Sequence, residues 1–163
     1  MKLIFFRLLI VFLALLSTTS LVSQKKKKLT KQERKLLKFE SQKQAVKDTS
    51  FAFYTNLIKS PFVSQNITGG ILSVKKNEVF VDLIEWIELD GTKNKMSEII
   101  TLTNYSLVTV NQGVFNVFFE AVLKGETHYF KLSQSLEDGP ALEISDSKRR
   151  KVIYEGKIKI FKN

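Results

Sequence analysis

Four carboxylates, Asp82, Glu85, Glu88 and Asp90, surround Trp86 in the stretch VDLIEWIELDG. Paired acids beside an exposed aromatic could cleave a glycan as acid and base, hold a sugar, or coordinate Ca²⁺. Along a strand, however, Asp82 and Glu88 share one face and Glu85 the other, and no D-x-D-x-D-G loop is present. A polar strand face around Trp86 is the plainer reading, and Asp82, Glu85 and Trp86 are kept as candidate ligand contacts.

A second cluster is SDSKRRK, where Ser147, Arg149 and Arg150 stand together beside Lys148 and Lys151. Turn amides and a guanidinium suit a phosphate or carboxylate. The same run also reads as a solvated turn whose backbone is closed by Asp146 or Ser147. His128 is the only histidine, and alternation groups it with Phe130 and Leu132, which makes it a sheet-face residue rather than a base.

The remaining chemistry is excluded by what the chain lacks. It has no cysteine, so disulfides, thiolate metal sites, thiol nucleophiles and a lipidated cysteine are ruled out. No G-x-S-x-G elbow occurs, and Gly69-Gly70 lacks the Lys-Ser/Thr of a phosphate loop and reads as a bend. No catalytic residue, metal site or cofactor is assigned.

The elements that would carry these residues follow from charge and periodicity. The chain is 163 residues long with net charge +10, but residues 24–48 carry +7 and residues 49–163 only +1. The basic character is therefore a short arm and not a cradle for a polyanion, and nucleic acid is disfavoured as a partner. Residues 1–23 combine Lys2 and Arg7 with the apolar run Leu8 to Leu16 and the small cluster Ser17 to Ser20, the order of a signal peptide. Its 20 residues from Leu3 to Val22 also suffice for an uncleaved anchor, with the lysines that follow favouring a cytoplasmic end.

Thr30 and Glu33 form a capping box, so a helix should begin there and run to about Asp48. Its thin apolar stripe is Leu36, Leu37, Phe39 and Val46. Lys25, Lys26, Lys27, Lys28, Lys31, Arg34 and Lys35 are the candidates for contact with an anionic membrane surface. From residue 49 the period changes to two. SFAFYTNLI, the two halves of ILSVKKNEVFVDLIEWIEL, NYSLVTV, VFNVFFEAVL, THYFKLSQS, ALEIS and KVIYEGKIKIF read as strands, with DGTKNK as a loop. In VFNVFFEAVL, Phe115, Val117, Phe119, Ala121 and Leu123 share one face. The expected class is α+β, mainly β: one N-terminal helix and seven to nine short antiparallel strands in a curved sheet, sandwich or incomplete barrel. Residues 49–163 form its single β-rich domain.

The ending, GPALEISDSKRRKVIYEGKI, resembles the C-terminal signature of an exported bacterial family typical of the Bacteroidota, domain-of-unknown-function family 4251. Ala141, Leu142 and Ile144, then Ser145, Ser147 and Arg149, then Val152, Tyr154, Gly156 and Ile158 occupy the matching positions. Lys148 stands where the family often has Asn, and IEWIELDG replaces an aromatic-glycine turn. The resemblance implies an exported single-domain protein of the periplasm or outer envelope, and no activity. The expectation is a non-enzymatic binding or envelope-associated module, whose partner is an anionic membrane surface or an envelope protein. The alternatives are an inner-membrane-anchored protein with its basic helix on anionic lipid, and a carboxylate-based glycan-acting enzyme.

Overall fold

The computed structural model describes residues 29–60, 64–67, 69–87, 92–148 and 150–161. The expected leader, Lys25 to Lys28, Glu88, Asp90 and Arg149 lie outside them. Residues group into two units, Met1–Arg34 and Lys35–Asn163, divided inside the single described helix, α1 (Lys31–Lys47). From Lys35 onward, α1 falls in the same unit as the strands.

In the first unit, α1 starts at the capping box. The Glu33 amide donates to Thr30 Oγ1 at 3.2 Å, and the Thr30 amide donates to Glu33 Oε2 at 2.7 Å. The Thr30 amide and hydroxyl hold the Glu33 carboxyl below its ordinary value.

The second unit is one antiparallel sheet of ten strands: β1 (Ser50–Lys59), β2 (Ser64–Asn66), β3 (Ile71–Lys75), β4 (Glu78–Ile87), β5 (Lys93–Thr101), β6 (Thr103–Asn111), β7 (Val114–Leu123), β8 (Glu126–Ser135), β9 (Gly139–Asp146) and β10 (Lys151–Ile160). The order across it is β5-β4-β3-β1-β10-β9-β8-β7-β6, with β2 added to β1. Two strands go beyond those read from the sequence. β2 has only three residues, and β5 begins at Lys93, within the stretch expected to be a loop.

β5 and β6 lie at opposite ends of this hydrogen-bonded path, yet only Leu102 separates them in the chain. The sheet must therefore curl until its edges meet. Cα atoms of β5 come within 8 Å of β7, past the point where β6 stops covering it. The result is a half-barrel closed through one continuous strand that changes partners at Leu102.

Alternation fills the interior. Phe115, Val117, Phe119, Ala121 and Leu123 of β7 all point inward and are buried, as their period-two spacing predicts. With Phe51, Phe53, Leu132 and Tyr154 they make a packed core, and Phe119 stacks on Phe130 with ring centroids 4.7 Å apart.

One end of the barrel is covered by α1, which buries Phe39, Gln42, Ala45 and Val46. Phe39 packs against Phe115 at 5.4 Å, and two polar contacts fix the helix: Gln42 Nε2 donates to the Ile158 carbonyl at 2.9 Å, and the Tyr105 hydroxyl to the Val46 carbonyl at 2.5 Å. Burial pushes the Tyr105 phenol well above its ordinary range, so it remains a donor. Leu36 and Leu37, expected on the docked stripe, are instead about half exposed, at 47% and 53%. The buried face runs through positions 39, 42 and 46, which a helix brings to one side, and Leu36 and Leu37 stay outside that buried set.

Gly156 explains a feature of the sequence signature. A Cβ there would lie 2.0 Å from the Tyr54 carbonyl oxygen, where β1 bulges between Thr55 and Leu57 against β10. Only glycine lets the two backbones approach so closely.

Candidate functional site

A cluster of ionisable side chains lies at the mouth of the barrel, at the opposite end of β8 from the α1 residues Phe39 and Gln42. It is built from the β7–β8 turn at Lys124-Gly125, the β9–β10 turn and the start of β5. Lys124 and Gly125 both have positive φ, at 49° and 82°, matching the tight hairpin that links β7 to β8. This turn directs Glu126 and His128 toward the mouth, on the same strand face as Phe130.

His128 is 2% exposed and pairs across the sheet with Asp146 of β9. Its Nδ1 lies 3.1 Å from the Glu126 carbonyl oxygen. The histidine is thus part of the inward face, the position its alternation with Phe130 and Leu132 suggested.

Asp146 is buried and organises the last turn. Its Oδ1 accepts the Arg150 amide at 2.9 Å, its Oδ2 accepts Arg150 Nε at 2.5 Å, and its own amide donates to the Arg150 carbonyl at 3.2 Å. Burial pushes the carboxyl up, but the Arg150 side chain and the Arg150 and Lys148 amides outweigh it and hold the value below the ordinary 3.8. Glu126 is likewise held down, first by its hydrogen bond from Lys148 at 2.7 Å, and Arg150 Nη2 lies 3.6 Å from its other oxygen.

Around this network lies a cleft of about 280 Å³ lined by Asn94, Lys95, Leu123, Lys124, Lys148 and Arg150, together with Glu126 and His128. Two sequence candidates far apart in the chain converge on it. Arg150 lines it directly, and Asp82 reaches it through Lys95, whose Nζ lies 2.8 Å from Asp82 Oδ1. Trp86 pairs with Asn94 along β4 and β5, so its backbone neighbours the same cleft. The register shifts between Ile84 and Trp86, making Glu85 an extra residue that breaks the strict alternation assumed for the acidic stretch. Ser147 is exposed in the β9–β10 turn, outside the lining. Lys31, Arg34 and Lys35 are exposed on α1, away from this mouth in the case of Lys35.

Lys95, Lys124 and Glu126 were not singled out by their sequence context. Glu126 carries a usable signal, since it shares the parity of His128; Lys95 carries none, because the first residues of β5 have the composition of a loop. Among the described residues, no group of three or more His, Asp or Glu is placed to hold a metal ion, and no helix is long and apolar enough to cross a membrane.

Among the described residues the arrangement is a mainly-β half-barrel with one capping helix, an apolar core and a charged mouth. A crystal structure of a DUF4251 family protein from Bacteroides eggerthii DSM 20697 has this fold: it superposes with a TM-score of 0.66 over 80% of this chain and 92% of that chain, at 14% identity. The resemblance carried by residues 139–158 thus extends to the fold of most of the chain. No protein-family model and no curated protein matches the sequence.

Proposed function

We propose that the chain is an exported, non-enzymatic binding module of the bacterial envelope, and that the charged mouth of its barrel receives an acidic, hydroxyl-rich ligand such as an anionic oligosaccharide. The supporting observation is the convergence of Lys95, Lys124, Lys148 and Arg150 on one cleft beside the apolar core. Ligand hydroxyls would find Glu126 and Asn94 at the same place. Each carboxylate of the mouth is engaged by a cation: Asp82 by Lys95, Glu126 by Lys148 and Asp146 by Arg150. The lowered values at Glu126 and Asp146 keep them ionised near neutrality, which suits a binding surface better than a general acid.

The test has two arms. Binding of a polyuronate at low ionic strength should weaken about tenfold in a Lys124→Gln/Lys148→Gln variant, roughly 1.4 kcal/mol, and should fall steeply with salt. No binding, or binding indifferent to both substitutions, would remove the mouth as the site. For export, cell fractionation with intact-mass analysis should give a soluble species beginning near Gln24; a full-length species in the membrane fraction would favour the anchored form.

A second reading has its own support. Leu36 and Leu37 are exposed beside Lys35 and Lys38 on α1, the composition of a helix that rests on anionic headgroups. Flotation with anionic but not zwitterionic vesicles, lost in Leu36→Ser/Leu37→Ser, is the expected outcome.

A further inference from the structure

At the opposite end of β8 from the mouth, a separate cleft of about 160 Å³ opens between α1 and the β8–β9 turn. Its lining includes two buried amides, Gln42 and Gln134, only 6% and 5% exposed, beside Ser135 and a charged rim. Gln42 is occupied, donating to the Ile158 carbonyl. Gln134 Nε2 donates to the Ser135 carbonyl at 2.7 Å, which fixes which end of the amide is oxygen. That oxygen, Oε1, is buried and has no hydrogen-bond partner among the described residues.

A buried carbonyl left without a donor costs about 1–3 kcal/mol, so its retention calls for a physical cause. The rim of the cleft suggests one. Lys35 and Lys38 of α1 and Lys157 of β10 line it, and among the described residues none of the three forms an ion pair, whereas Lys95, Lys148 and Arg150 at the mouth all do. Glu137 contributes the one opposing charge on the rim. Phe39 and Pro140 add apolar wall. Few convergent polar groups on an apolar lining, with uncompensated charge at the entrance, is the make-up of a small-ligand site.

We infer that this cleft binds a small phosphate or carboxylate that carries its own hydroxyl, the anion held by Lys35, Lys38 and Lys157 and the hydroxyl donating to Gln134 Oε1. The site is independent of the mouth and of any ligand there. Its chemistry is shared by a free polyol phosphate and by a glycerol-phosphate lipid headgroup, and the location of two of its lysines on α1 makes either source sterically consistent with a helix at the surface.

The full chain is titrated with sn-glycerol 3-phosphate, with glycerol as control, by isothermal calorimetry and by amide chemical shifts; vesicles of phosphatidylglycerol and of phosphatidylcholine supply the headgroup arm. Glycerol phosphate should bind and glycerol should not, or phosphatidylglycerol vesicles should bind where phosphatidylcholine does not, with shifts at Gln42, Gln134 and Leu136. Gln134→Leu should weaken the interaction about tenfold, and Lys38→Gln/Lys157→Gln, two surface changes that leave the core intact, should weaken it at least as much and flatten its salt dependence. Absence of binding in both arms overturns the site. So does binding that neither variant alters, or a Gln134→Leu protein that changes only in melting temperature, which would reduce Oε1 to the partner of a buried water.

Discussion

Asp146 and Arg150 bind each other through backbone and side chain alike: the Arg150 amide meets Oδ1 at 2.9 Å, and its guanidinium meets Oδ2 at 2.5 Å. The carboxyl titrates below its ordinary value in the folded chain, so it contributes stability that is present above about pH 4 and disappears as the pH falls through that lowered value. Asp146→Asn should therefore lower stability by about 1–2 kcal/mol at pH 7, reduced by the solvent exposure of Arg150, and the gap from the parent should close towards pH 2. Thermal melts of both proteins across that range are the measurement; a gap that does not change with pH would mean the charge is irrelevant.

Gly156 faces the Tyr54 carbonyl with no room for a methyl group. Gly156→Ala should force β1 and β10 apart at the centre of the sheet and cost about 3 kcal/mol, read from urea unfolding. The equivalent change at Gly69 meets open space but carries a positive φ of 88°, so it should cost only about 1 kcal/mol.

Tyr105 ties the last turn of α1 to β6 by donating to the Val46 carbonyl. In Tyr105→Phe the ring remains and the donor goes, at a cost of about 1 kcal/mol. Hydrogen exchange should accelerate in α1 while β7 and β8 keep their protection. Uniform acceleration would instead show that helix and barrel open only together.

Phe119 and Phe130 stack in the interior at 4.7 Å. Phe130→Ala should destabilise by about 3–5 kcal/mol in chemical denaturation, through lost burial and the cavity left behind.

Elements whose own residues carry the signal are legible in the sequence alone. The Thr30 and Glu33 side chains cap the helix within four residues, and β7 alternates without interruption from Phe115 to Leu123. β5 was opaque for a physical reason. Its only buried positions are Met96 and Ile100, and its first residues, Lys93 to Lys95, have the composition of a turn. Missing β5 also hid the mouth, because Lys95 is what joins Asp82 to the neighbourhood of Arg150. On α1 the stripe failed at Leu36 and Leu37 since the docking face is set by where the barrel ends, a tertiary fact that lets Gln42 be buried by bonding to Ile158. Gln134 gave no local warning, as an inward polar residue on an alternating strand is visible only once its missing donor is.

The middle of the sheet is made from the two ends of the domain, since β1 pairs with β10 and Phe51 lies opposite Ile160, while the middle of the chain supplies both edges. The contact that completes the barrel must close a loop of more than a hundred residues, so it comes after the local hairpins. A ribosome therefore cannot finish this fold piecemeal. Until the final strand has left the exit tunnel, β1 lacks its main partner, and a truncation that removes only the last dozen residues would split the barrel through its centre rather than trim its margin.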